Sequence, residues 1–151
     1  MIILTDNSIN MLILKSQRDL EKSVFRLSMK LDKIFLKDNS RFSNYLTSWV
    51  NELNIEILEF STKNEDSEEG IDGLVIFTEN QEVDKEILDI RSIFDKNQKP
   101  VHKIDINGTL MVGVSNLELW IERNGCKKVL FLGSDVMLEN PNLERYLANL
   151  K

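Results

Sequence analysis

The chain has 151 residues, 42% of them hydrophobic and 29% charged, with a formal net charge of −6. That size and composition suit a globular domain with a core of its own, and one α/β domain over residues 1–151 is expected. Cys126 is the single cysteine and His102 the single histidine, which excludes an internal disulfide and a Cys/His zinc set; no metal and no cofactor is expected.

MIIL at 1–4 and MLILK at 11–15 flank the turn-prone TDNSIN. Two strands are the preferred reading, and a helix capped at Asp6 or Ser8 and running through to Phe35 is the rival. The start lacks the basic residues and long apolar run of a secretory signal, and no window approaches the ~18 apolar residues of a membrane span. A soluble, cytoplasmic protein without membrane contacts is the expectation.

From Gln17 to Leu36 the pattern predicts a helix, with Leu20, Val24, Leu27, Leu31 and Ile34 on one face. Arg18, Lys22, Arg26, Lys30, Lys33 and Lys37 repeat with the same period on another. Like charges four apart cost an isolated helix about 0.2–0.5 kcal/mol per pair, so this stripe is either a solvated face or a docking surface for an acidic partner. Residues 15–41 carry eight bases against four acids; residues 52–95 carry fourteen acids against Lys63, Lys85 and Arg91. The acidic partner is therefore another protein or this chain's own acidic half, which includes self-association.

Ser40 or Asn39 caps a second helix through Leu53, and NIEILEF follows as a strand over 54–60. Within it, Tyr45–Leu53 resembles, over nine residues, the helix of TIR domains that carries a tryptophan and, four residues on, a catalytic glutamate. Here Glu52 follows Trp49 by three, so the resemblance departs at the residue that would carry activity. The tract at 61–72 has five acids and little to bury, and reads as a mobile loop. GLVIFT at 73–78 is a strand apolar on both faces, as in a parallel sheet. A helix over about 82–96 and the strand PVHKIDI come next.

Asn107-Gly108 is a strong signal for a type I′ turn, so TLMVGV is expected to return as an antiparallel strand, a hairpin over 101–114. Ser115 and Glu118 have capping-box spacing, Gly125 suits a left-handed C-cap, and KKVLFLG is another buried strand. Asn140-Pro141 opens a last helix. Strands alternating with helices imply a three-layer Rossmann-like or flavodoxin-like domain with a mostly parallel sheet.

In such folds ligands sit beyond the carboxyl ends of the strands. The candidate ligand-binding residues are therefore Thr78, Glu79, Asn80, Asp105, Asn107, Ser134 and Asp135. Lys15-Ser16-Gln17, after the expected first strand, is poor in the small residues of a phosphate loop. The P-loop, the G-x-G-x-x-G fingerprint and the G-x-S-x-G elbow are all missing, so no catalytic residue is assigned. Nucleic acid is disfavoured by the acidic balance. Two readings stand: a non-catalytic interaction or regulatory module working through the basic helix and the acidic half, and a small-ligand or nucleotide-binding domain at the strand ends, with enzymatic activity open.

Overall fold

The computed structural model describes residues 26–63 and 67–151. Among them, α1 (Leu27–Lys30), β1 (Lys33–Lys37), α2 (Arg41–Glu52), β2 (Glu56–Phe60), β3 (Gly73–Thr78), α3 (Lys85–Lys96), β4 (Val101–Asp105), α4 (Leu110–Asn124) and β5 (Lys128–Gly133) follow in order. A 3₁₀ turn (Asp135–Glu139) then leads into α5 (Pro141–Asn149). The five strands form one sheet in the order β2-β1-β5-β3-β4, and every pairing is parallel.

The direction of each crossover decides which face its helix covers. β1 to β2 steps toward one edge, β3 to β4 toward the other, and β4 to β5 back again. Right-handed crossovers then require α2 and α4 on one face and α3 on the opposite face. The packing agrees. Phe42, Leu46, Trp49 and Val50 of α2 share a core with Val114, Leu117 and Ile121 of α4, Leu143 and Leu147 of α5, and Val75, Phe77, Val129 and Phe131 of the sheet. Ile87, Ile90 and Phe94 of α3 pack on Leu74, Ile76, Leu130 and Leu132 across the sheet. This is the expected three-layer α/β fold. β3 is buried at all six positions, which explains its unbroken apolar run.

Two expectations are corrected. The helix foreseen from Gln17 to Leu36 is, among its described residues, one short turn at Leu27–Lys30, and Lys33–Lys37 is a central strand. Ile34 and Leu36 are buried while Lys33, Phe35 and Lys37 are half-buried, a period of two that the three-and-four spacing of Leu27, Leu31 and Ile34 masks. Pairing with β2 and β5 on both sides overrides the local helical signal. The basic stripe therefore does not lie on one helix.

The hairpin over 101–114 is not formed. Only Val101–Asp105 is strand, and TLMVGV enters α4 with Thr109 as N-cap. Neither Asn107 nor Gly108 takes a positive φ, so the type I′ geometry behind that expectation is not adopted there. Gly108 N–H donates to Asp105 O at 3.0 Å in an ordinary strand-to-helix turn, and the Ser115/Glu118 pair falls inside the helix. The positive-φ pair lies instead at Asn80 (55°) and Gln81 (64°), between Glu79 and Glu82, which bridge as a minimal hairpin. The sheet is wholly parallel.

Other local signals hold. Ser40 Oγ accepts from Ser43 N–H, Gly125 is left-handed at φ 60°, and Asn140 caps α5 with Pro141 in its first turn. The expectations for residues 1–15 lie outside the described residues. In the acidic tract, Ile71 is buried, Asp72 Oδ2 accepts from Lys127 and Lys128 N–H at 2.8 and 2.9 Å, and the Glu68 carbonyl accepts from Lys99 Nζ. No helix among the described residues is long and apolar enough to cross a membrane.

Candidate functional site

The carboxyl ends of the strands were the expected site, and their polar groups fall into two clusters. The first lies where α2 and α3 leave the sheet toward opposite faces, the position at which doubly wound folds open a crevice. The crevice is about 330 Å³ and is lined by Lys37, Ser40, Asp84, Glu86, Ser134 and Asp135 among others. A helix N-terminus here would ordinarily receive an anion, because its first N–H groups have no partner in the helix. At the start of α2 two of those groups are already taken, while Asp84 at the start of α3 makes no side-chain cap. Asp135 Oδ1 accepts from Phe42 N–H at 2.9 Å, and Ser40 Oγ accepts from Ser43 N–H at 3.2 Å. Lys37 Nζ is 2.8 Å from Glu86 Oε1 and also donates to the Asp38 carbonyl. One lysine faces Asp84, Glu86 and Asp135, so the crevice is acidic on balance.

The second cluster is a network of amides at the ends of β3 and β4. Asp105 Oδ1 accepts from Asn107 N–H (2.9 Å) and Asn80 N–H (3.2 Å), and Oδ2 accepts from Gln81 Nε2 (3.2 Å). Asn107 Nδ2 donates to Asn80 Oδ1 at 2.9 Å, and its Oδ1 accepts from Asn140 Nδ2 and Asn142 Nδ2 at 2.9 and 3.0 Å. Asn107 is the hub that ties three loops together. Gln81 is held at a positive φ, a conformation that costs a non-glycine residue on the order of 1 kcal/mol or more, and the Asp105 carboxylate braces that turn.

Of the seven candidate ligand-binding residues, then, Asn80, Asp105 and Asn107 do converge, and they bond one another. Thr78 is buried and its hydroxyl donates to the Ile104 carbonyl at 3.2 Å. Glu79 is half-buried beside them, and Ser134 and Asp135 stand apart in the first cluster. Gln81, Asn140 and Asn142 were missed, because the bonds that recruit them span 24 to 35 residues and carry no local pattern.

The basic candidates disperse. Arg18 and Lys22 lie outside the described residues. Arg26 is exposed at the start of α1. Lys30 pairs with Glu122 at 2.9 Å, and the hydrogen bond to that carboxylate raises its pKa. Lys33 pairs with Glu56 at 3.6 Å and Lys37 with Glu86, both acids of the 52–95 segment. The Lys33 and Lys37 pairs each contribute about 0–1 kcal/mol. Glu52, the acid of the TIR-like stretch, pairs with Lys151, and Trp49 is buried with its Nε1–H donating to Leu147 O at 2.9 Å.

His102 stacks on Trp120 with ring centroids 5.4 Å apart, and burial lowers its pKa. Cys126 is buried beside Gly73; burial, then the nearby Asp72 carboxylate, push its thiol up to about 11, the opposite of an activated nucleophile.

The architecture has a solved counterpart. The chain is similar to a putative molybdenum carrier protein from Syntrophus aciditrophicus SB, with a TM-score of 0.60 and 11% sequence identity, over 80% of this chain and 92% of that one. At that identity the likeness shows the Rossmann-like fold alone. No family model matches the sequence, and no curated protein matches it.

Proposed function

We propose that this chain is a non-catalytic interaction or regulatory module built on a Rossmann-like frame, acting through its surface on another protein. One observation carries the reading: the polar groups at the strand ends, where such frames receive phosphorylated ligands, close on one another. The Asp135 carboxylate takes the helix N–H that a phosphate would take, and Asp105 and Asn107 are filled by amides of the same chain. A bound anion would have to displace a like-charged carboxylate from a crevice that also contains Asp84 and Glu86. The pairing of Lys33 and Lys37 with Glu56 and Glu86 moves the docking surface away from the basic residues, which serve the fold.

The second reading, a small ligand in the crevice beside Lys37, rests on its volume of about 330 Å³ and its place between diverging helices. The similar structure's name, a putative molybdenum carrier protein, adds molybdate to the ligands worth testing. A thermal-shift panel of nucleotides, sugar phosphates, phosphate and molybdate separates the two. The interaction reading expects no shift with any of them. A ligand at 100 times its dissociation constant stabilises by about 2.7 kcal/mol, and a shift of that size overturns the proposal.

A further inference from the structure

Among the described residues β4 is an edge strand. Its bonds to β3 include Leu74 N–H to Pro100 O at 3.0 Å and Ile106 N–H to Thr78 O at 2.9 Å. Main-chain groups of alternate residues point to the same side of a strand, so the even-numbered residues from 100 to 106 face β3. The N–H and C=O groups of Val101 and Lys103 and the N–H of Asp105 then face outward, and no strand among the described residues meets them, while the Asp105 carbonyl already accepts from Gly108 N–H. Such a row is a template for another strand.

α4 runs beside that edge and makes it one wall of a groove of about 160 Å³. Residues 102–105 line one side, and Thr109, Val112 and Asn116 line the other. Tyr146 reaches in from α5. A Cβ at Gly113 would lie 1.1 Å from its hydroxyl, so the phenol passes α4 only because that position is glycine. Tyr146 is 1% exposed and lines the groove, with its hydroxyl against Gly113 of α4. Burial and the Asp105 carboxylate raise its pKa, which keeps the phenol a protonated donor near neutrality.

On the β4 wall Lys103 and Asp105 carry opposite charges, and the α4 wall carries none. Residues 106–117, INGTLMVGVSNL, are twelve uncharged residues in succession in a chain that is 29% charged. They include Met111 and Val112, 63% and 56% exposed. Depletion of charge with exposed apolar groups marks the centre of protein interfaces. The Asp105 carboxylate is spent on Asn80, Gln81 and Asn107, so it offers a cationic partner little while still repelling an anionic one.

We propose that the groove between the outer edge of β4 and α4 takes an extended, uncharged peptide segment of another protein. The segment adds as a strand alongside β4 and sets a neutral polar side chain (Asn, Gln, Ser or Thr) as acceptor on the Tyr146 hydroxyl. Strand addition uses main-chain bonds for affinity and the pocket for selectivity. A five-residue edge spans about 16 Å, enough for five or six peptide residues. The proposal deepens the interaction-module reading and rests on it.

The probe is a displayed library of random octapeptides panned on the full chain, with the enriched sequences then made synthetically and titrated into ¹⁵N-labelled protein. Expected are uncharged, strand-favouring peptides whose amide perturbations fall on residues 101–105 and 109–116. Lys103→Pro removes an outward N–H without touching the β3 ladder, and tenfold or greater weakening is expected. Val112→Arg, at an exposed helix position that leaves the core alone, is expected to weaken binding as strongly, which keeps the test valid if the proline variant unfolds. Four results overturn the proposal: no enriched peptide, perturbations elsewhere, wild-type binding by both variants, or a dimer of this chain that Lys103→Pro dissociates. None of these involves the ligand panel, so the two proposals fail separately.

Discussion

Asp135 is the residue on which the proposed function turns, and its removal has a size that the structure sets. Its Oδ1 is 2.9 Å from Phe42 N, one of the orphan amides at the start of α2. Losing a side-chain cap costs about 0.5–2 kcal/mol, and losing a negative charge near an exposed helix N-terminus costs about 0.3–1 kcal/mol. Asp135 is exposed, so water replaces part of the bond, and Asp135→Ala is expected to destabilise by about 1–2 kcal/mol. For a chain of this length that lowers Tm by roughly 3–6 °C. Asp135→Asn keeps an acceptor oxygen and loses only the charge, so about 0.3–1 kcal/mol is expected. Urea unfolding at pH 7 orders the three proteins. The alanine variant also frees the Phe42 amide, so phosphate or sulfate is expected to stabilise it more than the native protein. Equal stability of native and alanine proteins, or an identical response to phosphate, refutes the idea that Asp135 occupies the anion position.

Gly113→Ala places a methyl 1.1 Å from the Tyr146 hydroxyl, and the overpacking is expected to cost about 1–3 kcal/mol despite the better helix propensity of alanine. In a Tyr146→Leu background the cost should shrink, and a double-mutant cycle without coupling contradicts that contact. Cys126 is expected to resist thiol reagents in the native protein at pH 8 and to react once urea unfolds it. Its folded pKa, about 11, lies above the ordinary 9.0, so the unfolded thiol ionises first. Stability is then flat below pH 9 and falls from pH 9 toward 11, and Cys126→Ala should flatten that limb. The folded pKa of His102 lies below the ordinary 6.5, so the unfolded state binds the proton more readily. Its contribution is fully present above that value and is lost as pH falls below it, which His102→Gln removes from the acid side of a stability–pH curve.

The correct and mistaken readings separate by the range of the forces involved. Capping at Ser40, the left-handed Gly125 and the start of α5 at Asn140-Pro141 depend on atoms within a few residues, and all three were legible. The Asn107-Gly108 turn was misread because dipeptide preference shows which φ values are accessible, not which are used. The segment after the turn decided its geometry, since Val114, Leu117 and Ile121 bury as helix against the sheet. The turn that does take positive φ, at Asn80-Gln81, has no glycine to advertise it and is braced by Asp105, 24 residues from Gln81.

By itself the sequence determined the class. The alternation of apolar runs and amphipathic stretches separates strands from helices, and the unbroken apolar run GLVIFT points to a mostly parallel sheet covered by helices on both faces. Tertiary structure decided the rest. It made a central strand of Lys33–Lys37, since pairing on both sides outweighs a local helical period. It also turned the strand-end carboxylates and amides inward onto one another, because their bonds join residues up to 93 positions apart.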